Sequence, residues 1–70
     1  MKKKAKNRIK AVLVEKGKTS VWLAEELQMS KNTVSKWCTN TMQPTMETLF
    51  EIAEVLNVNV QELIVATVVK

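Results

Sequence analysis

The chain has 70 residues, with 11 Lys or Arg against 7 acidic side chains, a net charge of +4 and no His. A chain this short has room for one core that hides roughly 60% of the unfolded surface, and with every carboxylate a Glu and Cys38 the sole thiol it offers no catalytic constellation, no zinc or calcium ligand set and no internal disulfide, so no enzyme activity and no cofactor are expected. Gly and Pro occur once each and Tyr never, which favours an all-α fold.

Met1 to Lys6 is a basic lead-in without an apolar partner and is expected to be a flexible arm. From Asn7 the pattern turns helical: Ile9, Val12 and Leu13 share a face, Lys16 covers its edge with a methylene stem, and Gly17 is a stop signal. Thr19 or Ser20 can cap the next helix, which presents Leu23, Ala24 and Leu27. Gln28 and Met29 form a break, and Ser30 can cap a third helix that runs to about Cys38 with Val34 and Trp37 inward.

"TNTMQPT" reads as a connector, after which Leu49, Ile52, Ala53 and Leu56 recur at i, i+3, i+4 and i+7 of a fourth helix. A fifth helix is predicted at "VNVQELI", with Asn59 as cap, Glu62 reaching back to it, and Val58 packing on Leu63. The ending "LIVATVVK" is β-branched and suits helix or strand alike. These boundaries give an arm at 1–6, one domain at 7–64 and an apolar tail at 65–70. No apolar run approaches the roughly 20 residues of a membrane span, and the N-terminus lacks a signal-peptide core, so no membrane association and a cytoplasmic location are expected.

Two helices joined by three or four residues need a small residue at the crossing and apolar residues around it, and Leu23, Ala24, Leu27, Met29, Val34 and Trp37 provide that pattern. With it, "LAEEL…S…TVSKW" and the later "PTMETLFEIAEVLNV" resemble the phage repressor/Cro-type (XRE-like) helix-turn-helix family over about residues 7–64. The resemblance implies a compact five-helix repressor-like DNA-binding domain with the helix-turn-helix at helices two and three. One position departs from it: Gln28 stands where the family usually has Gly in a left-handed turn.

Charge agrees with a polyanionic partner. Residues 1–39 hold ten Lys or Arg against three Glu, and residues 40–70 hold one Lys against four Glu, or +7 and −3. With Val34 and Trp37 inward, Lys31, Asn32, Thr33, Ser35 and Lys36 spread over the outer part of helix three, which a major groove can admit. The resemblance implies that Lys31, Asn32, Thr33 and Lys36 contact bases and that Ser20 contacts phosphate. Ser35, Thr39, Asn40, Thr41, Gln43, Lys6 and Arg8 are further phosphate candidates, with Trp22 expected to pack and Cys38 to be a small helix-end residue. The function expected is that of a sequence-specific double-stranded DNA-binding transcriptional regulator, a repressor, acting as a homodimer through residues 65–70. The alternative is a protein-interaction or antitoxin-like module on the same fold, and a duplex titration at two salt concentrations separates the two.

Overall fold

Four α-helices follow one another in the computed structural model, which describes residues 6–65: α1 (Ile9–Glu15), α2 (Ser20–Leu27), α3 (Lys31–Cys38) and α4 (Met46–Leu56). Short polar side chains set three of the starts. Thr19 Oγ1 accepts the Trp22 N–H at 3.1 Å, Ser30 Oγ accepts those of Asn32 and Thr33 at 3.1 and 3.4 Å, and Thr45 Oγ1 accepts that of Thr48 at 3.2 Å. Of the two candidate caps for α2, Thr19 takes the role and leaves the Ser20 hydroxyl at the helix start. α1 begins two residues later than its apolar pattern predicts, because Asn7 stays outside it and accepts the Ile9 N–H on Oδ1 at 3.0 Å.

Left-handed residues close the helices. Gly17 follows α1 at φ 68, Gln28 follows α2 at φ 56 and Asn57 follows α4 at φ 58. At the last two, the next N–H turns back onto the helix, Met29 to the Ala24 carbonyl and Val58 to the Ala53 carbonyl, both at 2.9 Å.

The predicted fifth α-helix is corrected to a four-residue 3-10 helix at Val60–Leu63. Asn59 does donate its N–H to Glu62 Oε2 at 3.4 Å, as its spacing suggests. Propagation stops because the next residues pair elsewhere: Arg8 N–H donates to the Leu63 carbonyl at 2.8 Å, Val65 N–H donates to the Lys6 carbonyl at 3.2 Å, and Asn7 and Ile64 form an antiparallel bridge. Backbone groups committed across the chain cannot also build a helix. The tail from 65 therefore starts extended along the N-terminal segment, while its remaining residues, 66–70, and arm residues 1–5 lie outside the described part.

The core gathers Ile9, Val12 and Leu13 of α1, Leu23 and Ala24 of α2, Val34 and Trp37 of α3, Ile52, Ala53 and Leu56 of α4, and Leu63. Trp22, Leu27, Leu49 and Val58 pack around it, half-buried. Met29, expected to help lock the helix pair, is 39% exposed instead, since the left-handed turn at Gln28 carries it outward.

Gln28 is exposed and holds a backbone conformation that costs a residue with a Cβ about 1–2 kcal/mol. Gln28→Gly is therefore expected to stabilise the fold by about 1 kcal/mol or less, once the greater freedom of unfolded Gly is subtracted, and so to raise the thermal unfolding midpoint. A lowered midpoint in a melt followed by circular dichroism would count against strain at this turn.

Candidate nucleic-acid interface

The Ser30 cap fixes where α3 begins, and burial of Val34 and Trp37 fixes which way it faces. Lys31, Asn32, Ser35 and Lys36 are consequently exposed, and Thr33 is half-buried at the edge of the exposed strip. Among the described residues, the side chains of Lys31, Asn32 and Lys36 enter no hydrogen bond or ion pair. The structure thus brings together the expected base-contact set, with Thr33 the least accessible of the four.

Beside this strip runs a cleft between three helices. It is lined by Lys10, Leu13 and Val14 of α1, by Lys18, Thr19 and Ser20 at the start of α2, and by Ser35, Cys38 and Thr39 at the end of α3. Lys18 Nζ stands 4.9 Å from the centre of the Trp22 ring, a cation–π contact that keeps the ammonium near the α2 start. No acidic residue occupies the first turn of α2 or α3, whereas α4 has Glu47 there. The positive end of α2, beside Lys18, thus meets no acidic residue in its own first turn.

Ser20, Ser35 and Thr39 fall in the cleft together, and Thr41 joins Thr39 through a hydroxyl contact of 2.8 Å. Lys10 and Lys18 were not singled out by sequence reasoning. Their charges were countable, but only the packing of α1 against α3 and the turn into α2 sets them beside Ser20 and Ser35.

Three of the expected phosphate contacts also bond within the chain. Arg8 Nη1 donates to the Glu62 carbonyl at 3.0 Å and Nη2 meets Glu15 Oε2 at 3.4 Å, so its guanidinium bridges α1 and the 3-10 helix. Asn40, half-buried, and Gln43, exposed, are tied to the buried Asn7. Asn7 Nδ2 donates to Gln43 Oε1 at 2.8 Å and to the Trp37 carbonyl at 2.9 Å, and Asn40 Oδ1 accepts the N–H groups of Lys6 and Asn7 at 2.8 and 2.9 Å. Their amides are occupied by the chain itself. Lys6 keeps an exposed position while its backbone is held by Asn40.

A capped helix, a break closed by one left-handed residue, and a second capped helix with its polar face outward beside a basic cleft define a helix-turn-helix domain. A family model described as helix-turn-helix matches residues 9–63, and the chain belongs to the phage repressor/Cro-type (XRE-like) helix-turn-helix family. It is also similar to a protein of known crystal structure from Bacteroides fragilis, described as a candidate DNA-binding protein. The two are 52% identical and superpose with a TM-score of 0.82, over 83% of this chain and 94% of that one. No curated protein sequence matches it.

Cys38 is half-buried on the cleft wall, and burial pushes its thiol above the ordinary value, with the nearby Lys10 ammonium pulling partly the other way. A raised value means less thiolate at neutral pH, and thiolate is the reactive form. Alkylation of Cys38 by iodoacetamide is expected to be slower than that of free cysteine at pH 8 and to keep accelerating at pH values where free cysteine has levelled off. A rate equal to that of the free amino acid would show the thiol to be open to solvent.

Proposed function

We propose that this chain is a sequence-specific double-stranded DNA-binding transcriptional regulator, a repressor that works inside the cell by occupying its operator. The observation that carries the reading is the exposed strip of α3, fixed in orientation by Val34 and Trp37 and bordered by the Lys10, Lys18 and Ser20 cleft. The family and the Bacteroides fragilis relative support a DNA partner. In this reading α3 enters the major groove. Lys31 and Lys36 suit guanine O6 and N7, Asn32 suits adenine in a bidentate pair, and Thr33 can touch a thymine methyl. Ser20, Ser35, Thr39 and Thr41 bind phosphate together with Lys10, Lys18 and Lys6, which sets register.

One domain of this size spans few base pairs, so we place two copies on half-sites about 34 Å apart. The apolar tail at 65–70 is the proposed contact between them. A protein-interaction or antitoxin-like role is the second reading, favoured by Met42, Met46 and Phe50, which are 48%, 61% and 56% exposed near and on α4. Duplex affinity that falls steeply with salt supports the first reading, because neutralised phosphates release counterions.

Asn32→Ala and Lys36→Ala are expected to relax base preference at one or two positions each, by about 1–3 kcal/mol for a lost bidentate contact, without changing stability. Lys10→Gln should instead weaken all duplexes alike and reduce the salt slope by about 0.9. Selection from a random duplex library checks both, and an unchanged consensus in the two α3 variants would remove α3 as the reading helix. For the dimer, sedimentation at micromolar concentration is expected to give two copies for the whole chain and one for a chain ending at residue 64. A monomer in both cases that still binds a palindrome cooperatively would leave pairing to the DNA alone.

A further inference from the structure

Lys18 is the one cation set over an aromatic face among the described residues, with Nζ 4.9 Å from the centre of the Trp22 ring. Backbone bonds hold both partners. The Lys18 N–H donates to the Leu13 carbonyl at 2.8 Å across the Gly17 turn, and the Trp22 N–H donates to the Thr19 hydroxyl at 3.1 Å in the cap of α2. The Trp22 ring is half-buried against the core, which makes it a fixed platform. Packing there needs only an apolar side chain, whereas an indole adds the π face that attracts a cation most strongly. Among the described residues the Lys18 ammonium enters no hydrogen bond or ion pair, and Lys18 lines the cleft together with Ser20 and Ser35. An ammonium carries three N–H donors, so a ring on one side leaves donors open to a second partner.

We infer that Trp22 is a positioning residue for DNA binding: its ring holds the Lys18 ammonium beside Ser20 at the start of α2, so that the lysine meets a backbone phosphate from a place it already occupies. This rests on the DNA reading above. A free lysine samples many rotamers and loses that freedom when a phosphate fixes it, whereas a lysine held over a ring has given up part of it before the duplex arrives. A carboxylate in the same place would compete with the phosphate for the ammonium. The ring does not, because it carries no net negative charge. Lys10, on the same cleft, has no aromatic ring over it and serves as the internal comparison.

The test is a double-mutant cycle on one duplex at fixed salt, with proton NMR of the free chain beside it. In the unaltered chain Lys18→Gln is expected to weaken binding about fivefold, the scale of one exposed charge pair, and in a Trp22→Leu background about twofold or less. Lys10→Gln should have the same effect in both backgrounds, because a cleft distorted by lost packing would change both lysines. Trp22→Phe keeps a π face and should bring the Lys18 effect back to about threefold or more. In the free chain the Lys18 side-chain methylene protons are expected upfield of their unfolded-chain positions, shifted by the ring current of Trp22, and should return to those positions in Trp22→Leu. If Trp22→Leu does not fold, Trp22→Met serves as the second background with the same expected results. An equal Lys18 effect with and without the ring overturns the inference, as do Lys18 methylene protons at unfolded-chain positions in the unaltered chain. A chain that binds no duplex while those protons stay upfield overturns it by failing at the DNA reading itself, a result distinct from binding with an additive cycle.

Discussion

The Asn7 side chain is the one buried polar side chain among the described residues, at 5% exposure, and its hydrogen bonds join parts of the chain that apolar packing would leave independent. Its oxygen holds the first N–H of α1, while its two amide hydrogens reach the Trp37 carbonyl at the end of α3 and Gln43 in the connector. That carbonyl lies in the last turn of α3 and also accepts the Asn40 N–H at 3.0 Å, so the Asn7 amide takes its second lone pair. An amide buried without partners costs about 1–3 kcal/mol by protein mutational measures, and among the described residues no buried side-chain nitrogen or oxygen lacks one. The contact therefore sets α1 against α3 in a single register, where an apolar residue would permit sliding.

From that register the cleft follows. α1 brings Lys10 to the cleft that Ser35 also lines because its start is tied to the end of α3, and after the Gly17 turn the chain adds Lys18 and Ser20 to the lining. The acidic residues fall elsewhere: Glu47, Glu51 and Glu54 share the exposed side of α4, and Glu62 lies in the 3-10 helix. The cleft itself is lined by Lys10 and Lys18 and by no acidic residue, a local field of the kind that orients a domain toward a polyanion before contact.

The four α-helices were legible because their signals are local. Thr19, Ser30 and Thr45 each cap within three residues of themselves, and the core positions repeat at helical spacing, so neither needs knowledge of the rest of the chain. The end at Leu63 was not legible in the same way, since what stops the helix is pairing with residues 6–8, more than fifty positions earlier. Site residues divide along the same line. Lys31, Asn32 and Lys36 could be placed on an exposed face from the phase of Val34 and Trp37 alone. Arg8, Asn40 and Gln43 looked equally available in the sequence, but their partners, Glu62, Asn7 and Lys6, come from distant segments. Lys10 and Lys18 were overlooked for the converse reason: nothing within their own neighbourhoods marks the wall they complete.

The separation of tasks within α3 has a further consequence. Its two inward side chains, Val34 at 0% and Trp37 at 3% exposure, supply what holds the helix in place, and its cap lies before the first helical residue. None of these is among the exposed side chains that would meet a ligand. Fully burying a residue of the Val or Leu class contributes about 1.5–3 kcal/mol, whereas exposed substitutions away from special features usually stay within about 0.5 kcal/mol. Lys31, Asn32, Ser35 and Lys36 can therefore change with little effect on folding, while the backbone that presents them stays where the core puts it. Binding then spends little on ordering the helix, because the helix is already ordered, and the cost that remains is the rotamer freedom of a few long side chains. A face built in this way can alter what it recognises without altering what it is built on.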